Sequence, residues 1–304
     1  MRKPNFFIIG APKCGTTSLA SWLGECPSIF VSQPKEPNYF NTDVRSYNRL
    51  KLHEYEGLFN AATKIDVAVG EATTGYLRST VAVPNILQYA PKAKFIVCIR
   101  NPTDMCISLH REHVKSGFEI EKSFERAWNM QGDRSNGLRV PTLCADRTNL
   151  LYGPLCRIGT QLQRVITVAG FHNVLIVRLD QMAMQPSVIY DRAKNFLGVS
   201  NGFRPNFKHY NEAVYIPGPL ARCLRYASTV KAYLGVRRQT GAVRIARRIF
   251  AVRSNVEGPS ERFVKSVLYP YFKDEIDKLE GILNQDLSAW RDPQSVQLTR
   301  REMS

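Results

Sequence analysis

Apolar residues in this chain gather into short unbroken runs separated by longer amphipathic stretches. Phe6–Gly10 (FFIIG), Asp66–Gly70 (DVAVG), Lys94–Ile99 (KFIVCI) and Asn173–Val177 (NVLIV) each predict a buried strand, with Ile29–Val31 as a shorter one. Continuous apolar strands suit a parallel sheet, because helices cover both of its faces and neither needs polar side chains. Helical spacing fills the gaps. It predicts one helix opening at Thr16–Thr17–Ser18, one around Thr80–Tyr89 that stops before Pro91, and one from Pro102 to about Ser116. Leu155, Ile158, Leu162, Val165 and Ile166 give one apolar face to a helix over Leu150–Ala169, and Ser187–Leu197 predicts the next. Pro259-Ser260-Glu261 then reads as the cap of a last helix reaching Leu283. Residues 43–64 and 117–148 are polar and irregular. Strands alternating with helices imply an α/β domain with a central, mainly parallel sheet flanked by helices, plus a helical C-terminal extension.

The first unit carries the strongest chemical signal. A buried strand ends at Gly10, a tight loop holds Lys13 and Gly15, and a helix opens at once. Backbone N–H groups converge at such a helix N-terminus, and the helix dipole adds about half a positive charge there. Lys13, Cys14, Gly15, Thr16, Thr17 and Ser18 therefore form a candidate phosphate cradle of P-loop-like, three-layer type. Gly10-x4-Gly15 has P-loop spacing, yet Thr16 stands where an ATP or GTP loop has lysine. The lysine sits inside the loop instead, at Lys13. Cys14 reads either as a small residue that fits the turn or as a thiol.

Two further stretches add charge. Arg100 stands at the C-terminal end of a strand, the edge where open α/β sheets bind ligands, and Ser108 follows eight residues later on the next helix. An arginine fork with a hydroxyl suits a second phosphate; equally, Arg100 can pair with Asp104. In Lys35-Glu36-Pro37, a carboxylate in a proline-stiffened segment is a candidate general base.

Composition narrows the setting. The chain has 304 residues, 44% hydrophobic and 22% charged, and no run of the roughly 18 apolar residues a membrane span needs. It reads as one domain over 1–304, with a core at about 4–200 and a basic helical part at about 205–290. The N-terminus reads as a native cytoplasmic start, FFII being too short for a signal peptide. Seven scattered cysteines without a CxxC pair argue against a disulfide framework or a zinc site. The net charge is +16, and 222–253 holds nine basic residues and no acidic one. Such a stretch is either a solvated face or a patch for an acidic glycan, a nucleotide or a membrane surface.

FFIIGAPKCGTTSLASWL, KEPNYF and KFIVCIRNPTDMCISLHREH, in that order, resemble the sulfotransferases that use 3′-phosphoadenosine 5′-phosphosulfate (PAPS). The similarity is greatest to the bacterial and glycan-type branch that includes heparan sulfate sulfotransferases. Weaker likeness continues through 159–182 and on to LSAW at 287–290. The resemblance implies that Lys13 and the loop hold the 5′-phosphosulfate, that Arg100 and Ser108 hold the 3′-phosphate, and that Glu36 is the catalytic base. Lys13 would also stabilise the leaving oxygen during in-line transfer to a hydroxyl or amine. PAPS is then the donor and PAP the product, and no metal is required. Tyr215 and Arg253 are implied counterparts of the family's late nucleotide-closing residues. The pattern departs at Asn38, where the family has histidine, and at Asn41, where an acidic residue sometimes stands. The acceptor, a glycan or small metabolite, is expected against 40–60, 117–150 and 205–255. No nucleic-acid partner is expected, while 222–253 is a candidate peripheral membrane contact. Two other classes remain: a P-loop NTP-dependent kinase, which the missing lysine opposes, and a basic polyanion-binding protein centred on 222–253.

Overall fold

The computed structural model describes residues 2–45, 49–142, 144–207 and 256–291. Tyr215, Arg253 and the basic stretch 222–253 lie outside the described residues. Five strands, β1 (Phe6–Gly10), β2 (Ile29–Val31), β3 (Ala68–Ala72), β4 (Lys94–Ile99) and β5 (Val174–Arg178), form one sheet in the order β2-β3-β1-β4-β5. Every adjacent pair is parallel. Phe6, Phe7, Ile8 and Ile9 are completely buried although successive side chains point to opposite faces, so both faces of the central strand are covered. Phe7 stacks on Phe95 and meets Phe40 edge-on, which joins the segment after β2 to the core.

The helices are α1 (Thr16–Gly24), α2 (Leu52–Gly57), α3 (Ala82–Tyr89), α4 (Pro102–Lys115), α5 (Phe124–Asn129), α6 (Gln131–Ser135), α7 (Tyr152–Leu155), α8 (Ile158–Ala169), α9 (Leu179–Met184), α10 (Pro186–Leu197) and α11 (Tyr269–Leu283). Local chemistry sets several ends. Asn101 caps α4 by accepting from the Thr103 N–H at 2.9 Å, with Pro102 at the first helical position. Ser260 accepts from the Phe263 N–H at 3.2 Å, as the capping pattern predicts, and a π-helical turn at Val264–Leu268 leads into α11.

Three expected elements differ. The second strand runs over Ala68–Ala72, two residues later than the apolar run suggests, because Glu71 is a buried strand residue. Helix α3 begins at Ala82 rather than Thr80, which places Pro84 in the first turn, where its missing N–H costs nothing. The helix expected over 150–169 is interrupted at Cys156–Arg157 and restarts at Ile158. The buried Glu275 carboxylate of α11 sits at that restart, accepting from the Thr160 N–H at 2.7 Å, the Thr160 hydroxyl at 2.6 Å and Arg157 Nε at 3.1 Å. Gly159 permits the approach, since a Cβ there would lie 2.5 Å from the Glu275 carbonyl.

The 117–148 region is held by a second buried charge. Glu119 and Arg134 pair at 2.8 Å with both side chains almost fully buried, and the Tyr152 hydroxyl donates to Glu119 at 3.0 Å. Removing one member of such a pair strands the other in the core.

Glu275→Ala is expected to lower stability by about 2–4 kcal/mol, because it deletes a cap and leaves several donors unpaired. A urea midpoint within error of the parent protein would show that the cap contributes nothing.

Candidate functional site

The parallel sheet brings the ends of β1, β3 and β4 to one edge, and the candidate residues collect there. The loop after β1 turns through Lys13 at φ +63° and Gly15 at φ +83°. Gly15 is the N-cap of α1, and no side chain caps this helix end. Gly15 has no side chain to fold back on the helix start, so an anion can approach the N-terminal end of α1. A Cβ on Gly15 would meet the flexible ends of Met182 and Leu179, and the φ of +83° is the firmer reason for glycine here. The Lys13 ammonium ion-pairs with Glu112 of α4 at 3.1 Å and is half-buried. Thr16 and Ser18 are buried and Thr17 is exposed.

Glu36 lies beside this loop. Its backbone has φ +63°, and Asn38 follows at φ +52°, two left-handed non-glycine residues in one bend. Such conformations persist only where the surroundings hold them. Here the Glu36 N–H donates to the Ala72 carbonyl at 2.9 Å, and the carboxylate accepts from the Thr74 N–H at 2.9 Å and the Thr74 hydroxyl at 3.2 Å. Asn38 Nδ2 donates to the Glu36 carbonyl at 2.7 Å, and Asn41 Nδ2 donates to Asn38 Oδ1 at 3.2 Å. The two positions that depart from the family pattern thus buttress the bend. Lys35 connects the parts: its ammonium lies 3.0 Å from the Glu36 carboxylate and 3.3 Å from the Thr16 hydroxyl at the start of α1.

Arg100 joins the loop from the other side. Its guanidinium donates to the Lys13 carbonyl at 3.2 Å and pairs with Asp104 at 3.6 Å. The arginine thus has the carboxylate partner that the sequence allows, and it also touches the loop. A cavity of about 140 Å³ opens there, bounded by Arg100, Asp104, Arg178, Asp180 and Trp290. Arg178 ends β5 as Arg100 follows β4, and its guanidinium stacks 5.4 Å from the Trp290 ring centroid. Ser108 is half-buried in the second turn of α4.

A larger cleft of about 500 Å³ opens beside Glu36, lined among others by Asn38, Arg45, Arg78, His113 and Gln161. It shares Arg78 and Gln161 with an adjoining cleft of about 340 Å³ that adds Arg157 and Arg164. Burial works against the charge of Arg78, and Asp146 at 3.6 Å offsets part of that cost.

The structure thus gathers Lys13, Gly15, Thr16, Arg100 and Glu36 at one sheet edge, as the sequence pattern implies. Cys14 is different: its side chain is fully buried, with Sγ 3.4 Å from the Pro12 carbonyl and 4.0 Å from Met105 Sδ. It is a packing residue, leaving only its backbone for a ligand. The cleft takes Asn41, Val44, Arg45, Phe118 and Asn149 from the expected segments, but also Thr74, Arg78, His113 and Gln161, which lie outside them. Arg178 was detectable in principle, because it ends a parallel strand at the ligand-binding edge. Lys35 gave no signal beyond its place next to Glu36.

A family model for the sulfotransferase domain matches residues 3–213. The membrane-associated sulfotransferase kil1 of Dictyostelium discoideum is 29% identical over 137 residues, 43% of this chain and 28% of that protein. The human bifunctional heparan sulfate N-deacetylase/N-sulfotransferase 3 is 26% identical over 217 residues, 69% of this chain and 23% of that protein. The chain thus spans about a quarter of the length of these curated relatives. In fold, a sulfotransferase structure from Alicyclobacillus acidocaldarius superposes with a TM-score of 0.72 at 23% identity, covering 96% of this chain and 100% of that one. Among the described residues no helix is long and apolar enough to cross a membrane.

Burial pushes the Cys14 thiol well above its ordinary pKa, so little thiolate exists at neutral pH. Iodoacetamide at pH 8 is expected to spare Cys14 in the folded protein and to label it after urea unfolding, as read by peptide mass spectrometry. Labelling at equal rates in both states would show that the loop opens far more than its packing implies.

Proposed function

Because the chain belongs to the family of PAPS-dependent sulfotransferases, we propose that it transfers a sulfuryl group to an amine or hydroxyl of an anionic carbohydrate, with Glu36 as general base. The observation that carries this reading is the Glu36 carboxylate, held by Thr74 in the lining of the 500 Å³ cleft and linked through Lys35 to the first residue of α1. Bound PAPS supplies a sulfuryl group on a good leaving phosphate. The uncapped α1 N-terminus, Lys13 and the Thr16–Ser18 hydroxyls suit its 5′ end, and Arg100 with Ser108 suits a 3′-phosphate.

In this mechanism Glu36 takes the proton from the acceptor nitrogen or oxygen as that atom attacks sulfur from the cleft side. A new S–N or S–O bond forms, the bridging S–O bond breaks, and PAP leaves with its phosphate charge facing Lys13 and the helix start. Lys35 touches both halves of the site, so it orients the base and adds positive charge near the transferring group. A carboxylate competes poorly for an acceptor proton unless it is positioned, and the Thr74 contacts supply that positioning.

The anionic acceptor is supported by Arg45, Arg78, Arg157 and Arg164 along the adjoining clefts, which also carry Asp43. An elongated pair of clefts suits a chain of sugars better than a compact phenol. The human relative named as a heparan sulfate N-deacetylase/N-sulfotransferase supports the same reading.

The test is transfer from PAPS to a panel containing de-N-acetylated heparosan, heparan sulfate, a simple phenol and a lipid alcohol, beside PAP calorimetry. Turnover is expected on a polysaccharide; turnover on the phenol alone would overturn the acceptor class, and absence of micromolar PAP binding would overturn the nucleotide reading. Lys13→Ala and Arg100→Ala should each weaken PAP binding by about 10–100-fold, the worth of a charge-assisted contact. Glu36→Gln should lower kcat by about 100-fold or more while PAP affinity stays within about twofold. A matching loss of PAP affinity would assign Glu36 to nucleotide binding instead.

A further inference from the structure

Behind the Glu36 bend lies a second carboxylate that the proposed mechanism does not use. Glu71 sits in β3 with no solvent exposure. Three hydroxyls reach it: Thr73 Oγ1 donates to Oε2 at 2.6 Å, while the Tyr55 and Tyr76 hydroxyls each donate to Oε1 at 2.9 Å. Two of these hydroxyls face the Glu36 segment with their lone pairs. The Tyr76 oxygen accepts the Tyr39 N–H at 3.0 Å and the Phe40 N–H at 3.4 Å, and the Thr73 oxygen accepts the Asn38 N–H at 3.5 Å. The third belongs to Tyr55, whose ring stacks on Tyr39 at 4.5 Å. One buried carboxylate thus stands behind three consecutive residues of the bend that holds Glu36.

We propose that ionised Glu71 is a positioning residue for Glu36, setting the direction of the Thr73 and Tyr76 hydroxyls so that their lone pairs hold the 38–40 amides. The argument is one of donors and acceptors. A carboxylate accepts only, so each hydroxyl must point its proton at Glu71 and is left with lone pairs for the backbone N–H groups. A protonated Glu71 carries a donor of its own. One hydroxyl must then accept that proton and turn its own away, and at Thr73 or Tyr76 the displaced proton would face backbone groups that are also donors. The network has a fixed sense only while Glu71 is charged.

That charge is expensive to hold. Burial pushes Glu71 up to about 7, against the downward pull of the three hydroxyls, and the negative charge of Glu36 adds to the rise. The ionisable groups facing it are Tyr55 from α2, Tyr76 from the turn after β3, and Glu36; Tyr39 and Tyr89 stand behind Tyr55. Among the described residues it forms no ion pair. The sign follows from the raised value: the folded state holds a proton that the unfolded chain has already lost, so stability contributed by this group falls as pH rises toward 7 and above. A residue that costs stability when ionised, yet must be ionised for its network to keep its sense, suits a site rather than a scaffold.

The inference rests on Glu36 being the base, and Glu71→Gln tests it in the full chain. With PAPS and de-N-acetylated heparosan, or whichever panel member turns over best, kcat is expected to fall about 10–100-fold, the cost of slight misplacement. PAP affinity should stay within about twofold, and the thermal midpoint at pH 8 should be equal to or above that of the parent. The parent's kcat should lose activity as pH falls through about 7, and the variant should lack that step. Unchanged kcat, a step near pH 7 that persists in Glu71→Gln, or parallel losses of kcat, PAP affinity and midpoint would each overturn the proposal. Thr73→Val supplies a second variant; its effect on kcat should add little to that of Glu71→Gln, and full additivity would count against a shared network. Infrared titration reads the carboxyl directly: a protonated-acid band should disappear near pH 7 in the parent and be missing in Glu71→Gln. That measurement stands without turnover, so failure of the transfer reaction and failure of the Glu71 assignment are separately visible.

Discussion

The parallel register of β3, β1 and β4 is the constraint on which the site depends. Phe7 is paired with Glu71 on one side and Phe95 on the other, so all three strands finish at the same edge, β3 level with Ile8 and β4 three residues further on. Whatever follows them is brought together without further design: the Lys13 loop after β1, Thr73–Thr74 after β3, and Arg100 after β4. The segment after β2 joins through backbone bonds, with Ser32 N–H on the Gly70 carbonyl and Glu36 N–H on that of Ala72. Had β3 run antiparallel, its Thr74 end would lie at the opposite edge from Glu36. Chemistry here is a consequence of strand direction.

Buried charge is the second organising feature, and three instances have different consequences. Glu275 caps α8 from another helix and so fixes how the C-terminal helix docks. Glu119 and Arg134 neutralise each other and pin the irregular 117–148 region to α4 and α7. Among the described residues Glu71 has no cation, only hydroxyls, and burial pushes it toward neutrality. The first two are satisfied by full or charged partners and read as architecture. The third is held in the less comfortable state, directly behind the bend that presents Glu36.

These same residues explain what the sequence showed and what it hid. Apolar runs exposed β1, β4 and β5 almost to the residue, because nothing polar interrupts them. Glu71 interrupts β3, so the apolar run ends before the strand does and EATT reads as loop. Pro84 moved the start of α3, and a carboxylate more than a hundred residues away divided the 150–169 helix. The site divided likewise. Lys13, Arg100 and Glu36 were legible because each belongs to a compact motif at a strand end. Thr74 and Arg78 act through neighbours distant in sequence, and no spacing along the chain encodes such contacts.

The displaced lysine gains a physical reading from its partners. Lys13 turns through a left-handed conformation, which places its ammonium toward Glu112 on α4, while its own carbonyl takes the Arg100 guanidinium. A lysine one position after Gly15 would instead belong to the first turn of α1 and project along the helix. Inside the loop, Lys13 shares its backbone with the arginine that closes the other side, so a shift at either end of an anion spanning the loop is felt at the other. The Glu112 pair is partly exposed and therefore weak, worth about 0–1 kcal/mol. An incoming phosphate-like anion can draw the ammonium away from it at small cost, whereas the Arg100–Lys13 carbonyl contact places no demand on the lysine side chain. The arginine contact thus ties the loop through its backbone, while the Lys13 ammonium is engaged only by the partly exposed Glu112 pair.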